Sequence, residues 1–261
     1  MIRVGIGGWT YAPWRDNFYP AGLKHADELA YAASHVTTIE INGTFYRTQS
    51  AASFRKWADA APDGFAFAVK GHRSVVNKSK LAETKEGVDW FFGSGIMELG
   101  DKLGPILWQL APFKRFDRDD VAAFFNLLPR EIGDRPIHHA IEPRHASFQE
   151  AAFVDLAREA GIAIVQVDSP KYPAISDLTG EIVYARLQDA KADEPTGYSS
   201  AALDDWARQC RAWATGTPAS DPAPLTGAGE RKERPVFAYM INGAKERAPA
   251  AAMALIERLG G

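Results

Sequence analysis

Residues 65–70, Phe-Ala-Phe-Ala-Val-Lys, alternate between large and small side chains with a period of two. That period is typical of a β-strand whose two faces meet different surroundings. The large apolar residues predict a face covered by helices, while Ala66 and Ala68 suit a crowded interior. Lys70 then ends the strand on the interior side. The stretch therefore predicts one strand of a barrel whose outer face is covered by helices.

Seven further apolar runs alternate with helical patterns along the chain. With 65–70, the predicted strands are 3–8, 37–41, 65–70, 105–110, 137–141, 162–167, 182–187 and 236–241. Helices are predicted near 23–33, 50–60, 88–102, 119–128, 149–160, 203–214 and 249–259, with Ser50 as an N-cap. Alternating β and α elements favour a parallel sheet, and eight such units favour a single TIM-like (β/α)₈ barrel, an α/β fold. The link between the sixth and seventh strands shows no clear helix, so we expect an irregularity there.

Length and composition agree with this fold. The 261 residues fit one barrel domain over 1–261, with a Pro/Gly/Ala-rich loop insertion at about 214–235. The single cysteine, Cys210, excludes an intrachain disulfide framework and a Cys-rich zinc module. No apolar run reaches 18 residues and no signal-peptide segment precedes the first strand, so we expect a cytoplasmic protein without a membrane partner. The formal net charge of −3 gives no indication of nucleic-acid binding.

Strand parity brings polar side chains to one end of the predicted barrel. Glu40, Asn42 and Glu142 point inward by the alternation used for 65–70, and the same end of the barrel receives residues from the other strands. Barrel enzymes build their active sites at this carboxyl-terminal end. The polar candidates are Glu40, Asn42, Lys70, His72, Gln109, Glu142, Arg144, His145, Asp168, Arg186 and Asn242. Aromatic candidates for the wall of the site are Trp9, Tyr11, Trp14 and Tyr46.

Acid–base chemistry on a small polar or anionic substrate is the leading interpretation of this set. Glu40 and Glu142 are predicted to exchange protons if burial raises the pKa of either carboxyl group. His145 and Asp168 are the other catalytic candidates, and His145 could instead orient Glu142. The residues do not separate a hydrolase from a lyase or an isomerase.

Permanent cations in the same set are predicted to bind the substrate. Arg144 and Arg186 offer planar forks for a carboxylate or phosphate, and Lys70 adds a third positive charge. A Schiff base at Lys70 is disfavoured at this point, because adjacent carboxylates would raise the pKa of the amine. The remaining substrate-binding candidates are Trp9, Tyr11, Asn42, Tyr46, His72, Gln109 and Asn242.

Three other interpretations stay open. The charges could neutralise one another as a structural ion network, which would make the protein a non-catalytic ligand-binding scaffold. An aromatic and basic rim could bind single-stranded nucleic acid, in a nuclease-like protein; its members would be Trp9, Tyr11, Trp14, Tyr46, Arg47, Arg73 and Lys171. Carboxylates with His72 or His145 could bind a divalent metal, although no metal motif is present and we assign no ligands. The chain has no GxGxxG or Walker motif, so no nucleotide cofactor is predicted.

Several motifs resemble those of the DUF72 family, the YecE-like barrel proteins. They lie at residues 7–11, 18–23, 39–47, 65–70, 103–105, 109–110, 142–145 and 168–169, and so cover nearly the whole chain. The resemblance implies a TIM-like barrel and supplies no reaction, since the family has no known function. Many members of the family have a motif similar to Arg-Leu-His-Gly after the seventh strand, where this chain has Gln188 and Asp189 in place of the last two residues. The eighth strand usually ends in two asparagines in the family and ends in one here. These departures suggest a subgroup.

Overall fold

The computed structural model describes residues 1–227 and 229–260. Ala228, in the predicted insertion, and Gly261, at the end of the predicted domain, lie outside this description. The strands are β1 (Ile2–Gly7), β2 (Thr38–Ile41), β3 (Ala66–Lys70), β4 (Leu103–Gln109), β5 (Glu131–Ile132), β6 (Arg135–Pro136), β7 (His139–Glu142), β8 (Ala163–Ile164), β9 (Gln166–Asp168), β10 (Val183–Leu187) and β11 (Val236–Met240).

Nine of these strands form one parallel sheet in the order β8-β7-β4-β3-β2-β1-β11-β10-β9. The two terminal strands of that order, β8 and β9, follow each other in sequence with only Val165 between them. They are two halves of one broken strand, and the sheet is therefore a nearly closed barrel. The prediction of a TIM-like fold is confirmed, and β5 and β6 form a separate small hairpin.

The irregularity expected near the sixth strand lies both in the strand and after it. The Gln166 side-chain amide donates hydrogen bonds to the backbone carbonyls of Ile164 (3.2 Å) and Asp177 (3.3 Å). It thus provides a donor for two backbone carbonyls near the break in the strand. No helix follows this strand in the described link at 169–182. The connection from β9 to β10 therefore lacks the helix that joins neighbouring strands in a regular (β/α)₈ barrel.

The helices cover the outside of the barrel. They are α1 (Glu28–Ala33), α2 (Ala51–Ala60), α3 (Arg73–Val76), α4 (Lys85–Phe92), α5 (Arg118–Leu127), α6 (Ala151–Glu159), α7 (Ser200–Ala214) and α8 (Ala248–Leu259). Ser50 caps α2 as predicted, since its side chain accepts a hydrogen bond from the Ser53 backbone at 3.1 Å. The helix predicted at 88–102 is wrong in length: α4 ends at Phe92, and a 3₁₀ segment follows Gly95, whose φ of 101° no helix accommodates.

Two apolar layers confirm the strand phase inferred from 65–70. Ala66 and Ala68 pack inside the barrel with Leu107 and Tyr184. Phe67, with the other large residues of its face, belongs to the layer between strands and helices. Small interior residues on β3 leave room for the long side chains that reach the barrel axis from neighbouring strands.

The segment after α7 packs against the link between β9 and β10, where the Ser176 hydroxyl donates to the Pro222 carbonyl at 2.6 Å. Its described residues from 217 to 235 form no helix or strand. The buried Asp177 carboxylate holds it in place by accepting hydrogen bonds from the backbones of Leu225 (2.7 Å) and Thr226 (2.9 Å). The assignment of 1–261 to one domain with an insertion stays a prediction. Within the described ranges, no helix has the length and hydrophobicity needed to cross a membrane.

Candidate functional site

Three buried charged residues close the interior of the barrel near its carboxyl-terminal end. We call Glu40, Glu142 and Arg186 the charged floor; none is more than 2% exposed. The Arg186 guanidinium donates to both oxygens of Glu40, at 3.0 and 3.1 Å, and to Glu142 at 2.6 Å. Such burial is tolerated because each charge has a close partner of opposite sign.

Further donors complete the charged floor. The Tyr184 hydroxyl donates to Glu40 at 2.7 Å, and the Gln109 amide donates to Glu142 at 2.9 Å. Arg144 donates to the other oxygen of Glu142, also at 2.9 Å. All four carboxylate oxygens of the charged floor therefore accept at least one hydrogen bond.

This geometry changes the chemistry expected of Glu142. Burial alone would raise the pKa of its carboxyl group, but the guanidinium groups of Arg186 and Arg144 outweigh burial and lower that pKa to about 2. The prediction of a carboxyl group with a raised pKa is wrong for Glu142, because sequence parity shows its direction and not its distance from two arginines. Glu142 is a fixed negative charge near neutral pH.

An open cavity of about 320 Å³ lies above the charged floor, and we call it the mouth pocket. Its polar lining consists of Asn42, Tyr46, Lys70, Gln109, Arg144, Arg186, Asn242 and Lys245. Four of these side chains are cationic, and no carboxylate belongs to the lining formed by the described residues. The mouth pocket thus presents positive charge to anything that enters it.

Lys70 lines the mouth pocket and, like Lys245, has no carboxylate partner among the described residues. Its Nζ atom lies 4.3 Å from the centroid of the Phe45 ring, and no carboxylate of the described residues lies within 4.0 Å of it. Burial and the nearby Arg186 lower the pKa of the Lys70 amine to about 8. Glu40 and Glu142 do act to raise this pKa, as expected, but burial and the arginines outweigh them, so the expected net increase is wrong.

The two asparagines of the mouth pocket follow β2 and β11, the strands on either side of β1. The Asn42 amide donates to the Glu40 backbone at 3.3 Å, and a Cβ at Gly7 would lie 3.1 Å from that amide. Asn242 has a φ of 65°, a conformation asparagine tolerates, and its amide donates to Gln188 at 3.3 Å.

Asp168 does not join the mouth pocket. In the sheet, Val167 pairs with Arg186 and Asp168 pairs with Leu187, so Asp168 shares the outward direction of Leu187. It accepts a hydrogen bond from Tyr198 at 3.1 Å and lines a separate cavity of about 500 Å³ beside α7. Burial raises the pKa of its carboxyl group. The prediction that Asp168 lies with the other polar candidates at the mouth is therefore wrong, while a catalytic role for it stays a prediction.

The two histidine candidates act as helix caps. His72 Nδ1 accepts the backbone N–H of Ser74, and His145 Nδ1 accepts that of Ser147, each at 3.1 Å. Neither ring lines the mouth pocket, and within the described structure His145 makes no hydrogen bond to Glu142. The predicted partnership between His145 and Glu142 is not formed, because the cap directs the ring toward Ser147.

Of the four aromatic candidates, only Tyr46 lines the mouth pocket, and it is 65% exposed. Trp9 packs edge-on against Trp57 at 5.1 Å. Trp14 is fully buried, and the Tyr11 ring lies 4.7 Å from the Lys245 ammonium. The aromatic and basic rim is therefore less continuous than predicted, and nucleic-acid binding stays a prediction.

Sequence reasoning missed three residues of the site. Tyr184 could have been found, since it lies two residues before Arg186 on the same inward face of β10. Lys245 begins a short 3₁₀ turn and Tyr172 lies in a loop, and neither position has a periodicity that indicates direction. Tyr172 nevertheless orients Arg144, whose guanidinium carbon lies 4.1 Å from the centre of its ring.

A metal site is not evident in the part of the chain that the structure describes. No group of three or more His, Cys, Asp and Glu side chains is placed there to hold an ion. The carboxylates of the charged floor already accept hydrogen bonds from Arg186. A metal requirement stays a prediction without an assigned ligand set.

Fold and site together define a TIM-like barrel with a cation-lined pocket at the carboxyl ends of its strands. The family model for the protein of unknown function DUF72 matches residues 3–261, and the chain belongs to that family. The resemblance inferred from the sequence motifs is confirmed.

Solved structures and a curated relative agree with this membership. A DUF72 family protein of Thermotoga maritima MSB8 is 21% identical, with a TM-score of 0.75 over 100% of both chains. One of Enterococcus faecalis V583 is 18% identical, with a TM-score of 0.72 over 100% of this chain and 96% of the other. The UPF0759 protein YunF of Bacillus subtilis (strain 168) is 25% identical over 160 residues, which span 59% of this chain and 55% of YunF. The similar structures support the assignment of the fold, and none of these comparisons identifies a reaction.

Proposed function

We propose that the protein is an enzyme that binds a small anion in the mouth pocket and carries out acid–base chemistry on it, with Lys70 as the proton carrier. The observation that carries this proposal is the amine of Lys70, which has no carboxylate partner among the described residues and lies in a pocket whose other cations are arginines and Lys245. A substrate anion would supply the missing negative charge.

The charge balance of the site supports an anionic substrate. Glu40 and Glu142 compensate Arg186 and part of Arg144 beneath the pocket, while Lys70 and Lys245 have no such partner in the described structure. Arg144 uses Nε for Glu142 and Nη1 for Tyr172, which leaves its Nη2 group free to donate. A carboxylate or phosphate can accept from a guanidinium group of this kind.

Proton transfer fits Lys70 better than the carboxylates of the charged floor. A general acid or base works best when its pKa lies near the working pH, and the Lys70 amine has a pKa of about 8. Glu142, by contrast, is held ionised by two arginines. We therefore assign Glu40 and Glu142 to positioning Arg186 and Arg144, and Lys70 to the proton that hydrolases, lyases and isomerases all need to move.

The test is anion binding by the full chain. Isothermal titration with inorganic phosphate and with pyruvate is expected to give saturable binding that weakens as salt is added. Lys70→Met is expected to weaken it by about tenfold or more, since a hydrogen bond to a charged group contributes roughly 1.5–3 kcal/mol.

The matched control is Lys56→Met, which removes one exposed lysine from α2, outside the mouth pocket. It is expected to bind both anions as the wild type does. The proposal is contradicted if neither anion binds, or if the Lys70 and Lys56 variants bind equally well.

A further inference from the structure

We propose that Lys70 is a nucleophile that forms a Schiff base with a small oxo acid, that is, an aldehyde or ketone that also carries a carboxylate or phosphate group. The inference rests on the proposed function, because it uses the same mouth pocket and the same anion. It goes further by naming the bond that forms and the class of carbonyl substrate.

The position of Lys70 suits a nucleophile. The residue is 8% exposed, and its Nζ atom faces the mouth pocket beside the Phe45 ring. Its backbone is fixed at the end of β3, since the Lys70 carbonyl accepts a hydrogen bond from the Thr44 hydroxyl at 2.7 Å. A rigid strand end and a shielded amine place the nitrogen reproducibly against a bound carbonyl.

The electrostatics of the pocket favour the neutral amine, which is the form that attacks a carbonyl. Burial and Arg186 destabilise the ammonium form of Lys70, whereas Glu40 and Glu142 act against this only in part. In the described structure both carboxylates accept hydrogen bonds from Arg186, and neither lies within 4.0 Å of the Lys70 amine. The charged floor therefore keeps the natural partners of a lysine away from Lys70.

The proposed step is a condensation without redox change. The neutral Nζ attacks the carbonyl carbon, the C=O π pair moves to oxygen, and the nitrogen passes a proton to that oxygen to give a carbinolamine. Loss of the hydroxyl group with the second N–H proton releases one water and leaves a C=N bond. Once that nitrogen is protonated, the C=N group can accept an electron pair from the adjacent carbon. A C–H or C–C bond on that adjacent carbon can then break. Arg144 and Arg186 face the same pocket and would hold the anionic group.

Lys245 is the competing amine in the mouth pocket. It begins the 3₁₀ turn after β11, and its ammonium lies 4.7 Å from the Tyr11 ring centroid and 5.7 Å from that of Trp14. Burial also lowers the pKa of this amine. It lacks the strand-end backbone of Lys70, so it provides a demanding internal control for the assignment.

The experiment is reductive trapping of the imine. The full-length protein is incubated with pyruvate and sodium cyanoborohydride, and adducts are located by peptide mass spectrometry. One dominant adduct is expected on Lys70, lost in Lys70→Arg and Lys70→Gln and retained in Lys245→Arg; circular dichroism checks that each variant is folded. Trapping is expected to become faster as pH rises toward 8, because a larger fraction of the Lys70 amine is then neutral.

Two results would overturn the assignment: adducts spread evenly over exposed lysines, or a dominant adduct on Lys245 that survives in Lys70→Gln. These are distinguishable from failure of the proposed function. If pyruvate binds with saturation and Lys70→Met weakens that binding, but no adduct forms on Lys70, the anion-binding enzyme stands and the Schiff base is excluded.

Discussion

The charged floor and Lys70 lie at the same end of the barrel, yet their charges are treated in opposite ways. Arg186 donates three hydrogen bonds to Glu40 and Glu142, and all three residues are almost fully buried. Lys70 is nearly as buried, but the described residues give it an aromatic ring and no carboxylate. Residue type and burial do not separate a structural charge from a reactive one here. The presence or absence of a partner does.

The difference has an energetic consequence. Removing one member of a paired buried set leaves the others charged and uncompensated, which is strongly destabilising. A buried charge without a partner already lowers the stability of the fold, so its removal is expected to stabilise the protein. The two groups should therefore respond to mutation with opposite signs.

Arg186→Met is expected to have the largest effect. It leaves Glu40 and Glu142 buried without their shared cation, and should lower the free energy of unfolding by about 3–5 kcal/mol. Urea denaturation measures this. Arg208→Met, which removes the exposed pair with Asp205 on α7, is the control and should change stability by less than about 1 kcal/mol. Equal stabilities of the two variants would show that the charged floor is not structural.

The second-largest effect is expected from acid, which should reduce the stability that Glu142 contributes to the charged floor. The pKa of Glu142 is lowered in the folded state to about 2, so its contribution to stability is complete above the unfolded pKa near 4.5 and is lost as pH falls toward 2. The shift corresponds to about 3 kcal/mol. Between pH 5 and pH 2, the free energy of unfolding measured by urea denaturation should therefore fall less with decreasing pH for Glu142→Gln than for the wild type. Identical pH dependence would contradict this assignment.

Lys70→Met should have a smaller effect of opposite sign. The folded pKa of about 8 lies below the unfolded value of 10.5, so the ammonium opposes folding below pH 8 and ceases to do so as pH rises to 10.5. The variant should be more stable than the wild type by about 1–3 kcal/mol at pH 7, and the difference should shrink toward pH 10.5. A destabilised variant at pH 7 would indicate that Lys70 has a hidden partner.

Asp168→Asn should have the smallest effect on the mouth pocket. Asp168 lines the other cavity, and asparagine can still accept the hydrogen bond from Tyr198. Binding of phosphate and pyruvate should change by less than about twofold. A loss of anion binding as large as that expected for Lys70→Met would contradict this, because it would show that the two cavities act together.

Much of this arrangement follows from alternation along strands. The inward direction of Lys70 follows from 65–70, and that of Glu40 follows from two flanking isoleucines that face the helices. Regular parallel strands with one apolar face make such directions readable from sequence alone. The direction of the Gln109 side chain follows from the sheet register, since Gln109 pairs with Glu142 and both side chains point inward.

Other features depend on information that no local pattern holds. The strand is broken at Val165, so Asp168 follows too short a segment for its direction to be read. The capping roles of His72 and His145 depend on the backbone turn at each serine two residues later. Whether burial or an arginine decides a carboxylate's pKa depends on distances across the barrel, as at Glu142.

The charged floor leaves Lys70 as a buried amine without a carboxylate partner among the described residues. Heteronuclear NMR of ¹³C,¹⁵N-lysine-labelled protein, with Lys70→Arg used to assign the resonance, measures the pKa of its amine directly. A midpoint near pH 8 is expected, well below the value of 10.5 for a free lysine. A midpoint at 10.5 or above would show that a carboxylate pairs with Lys70 and would contradict both the proton carrier and the nucleophile.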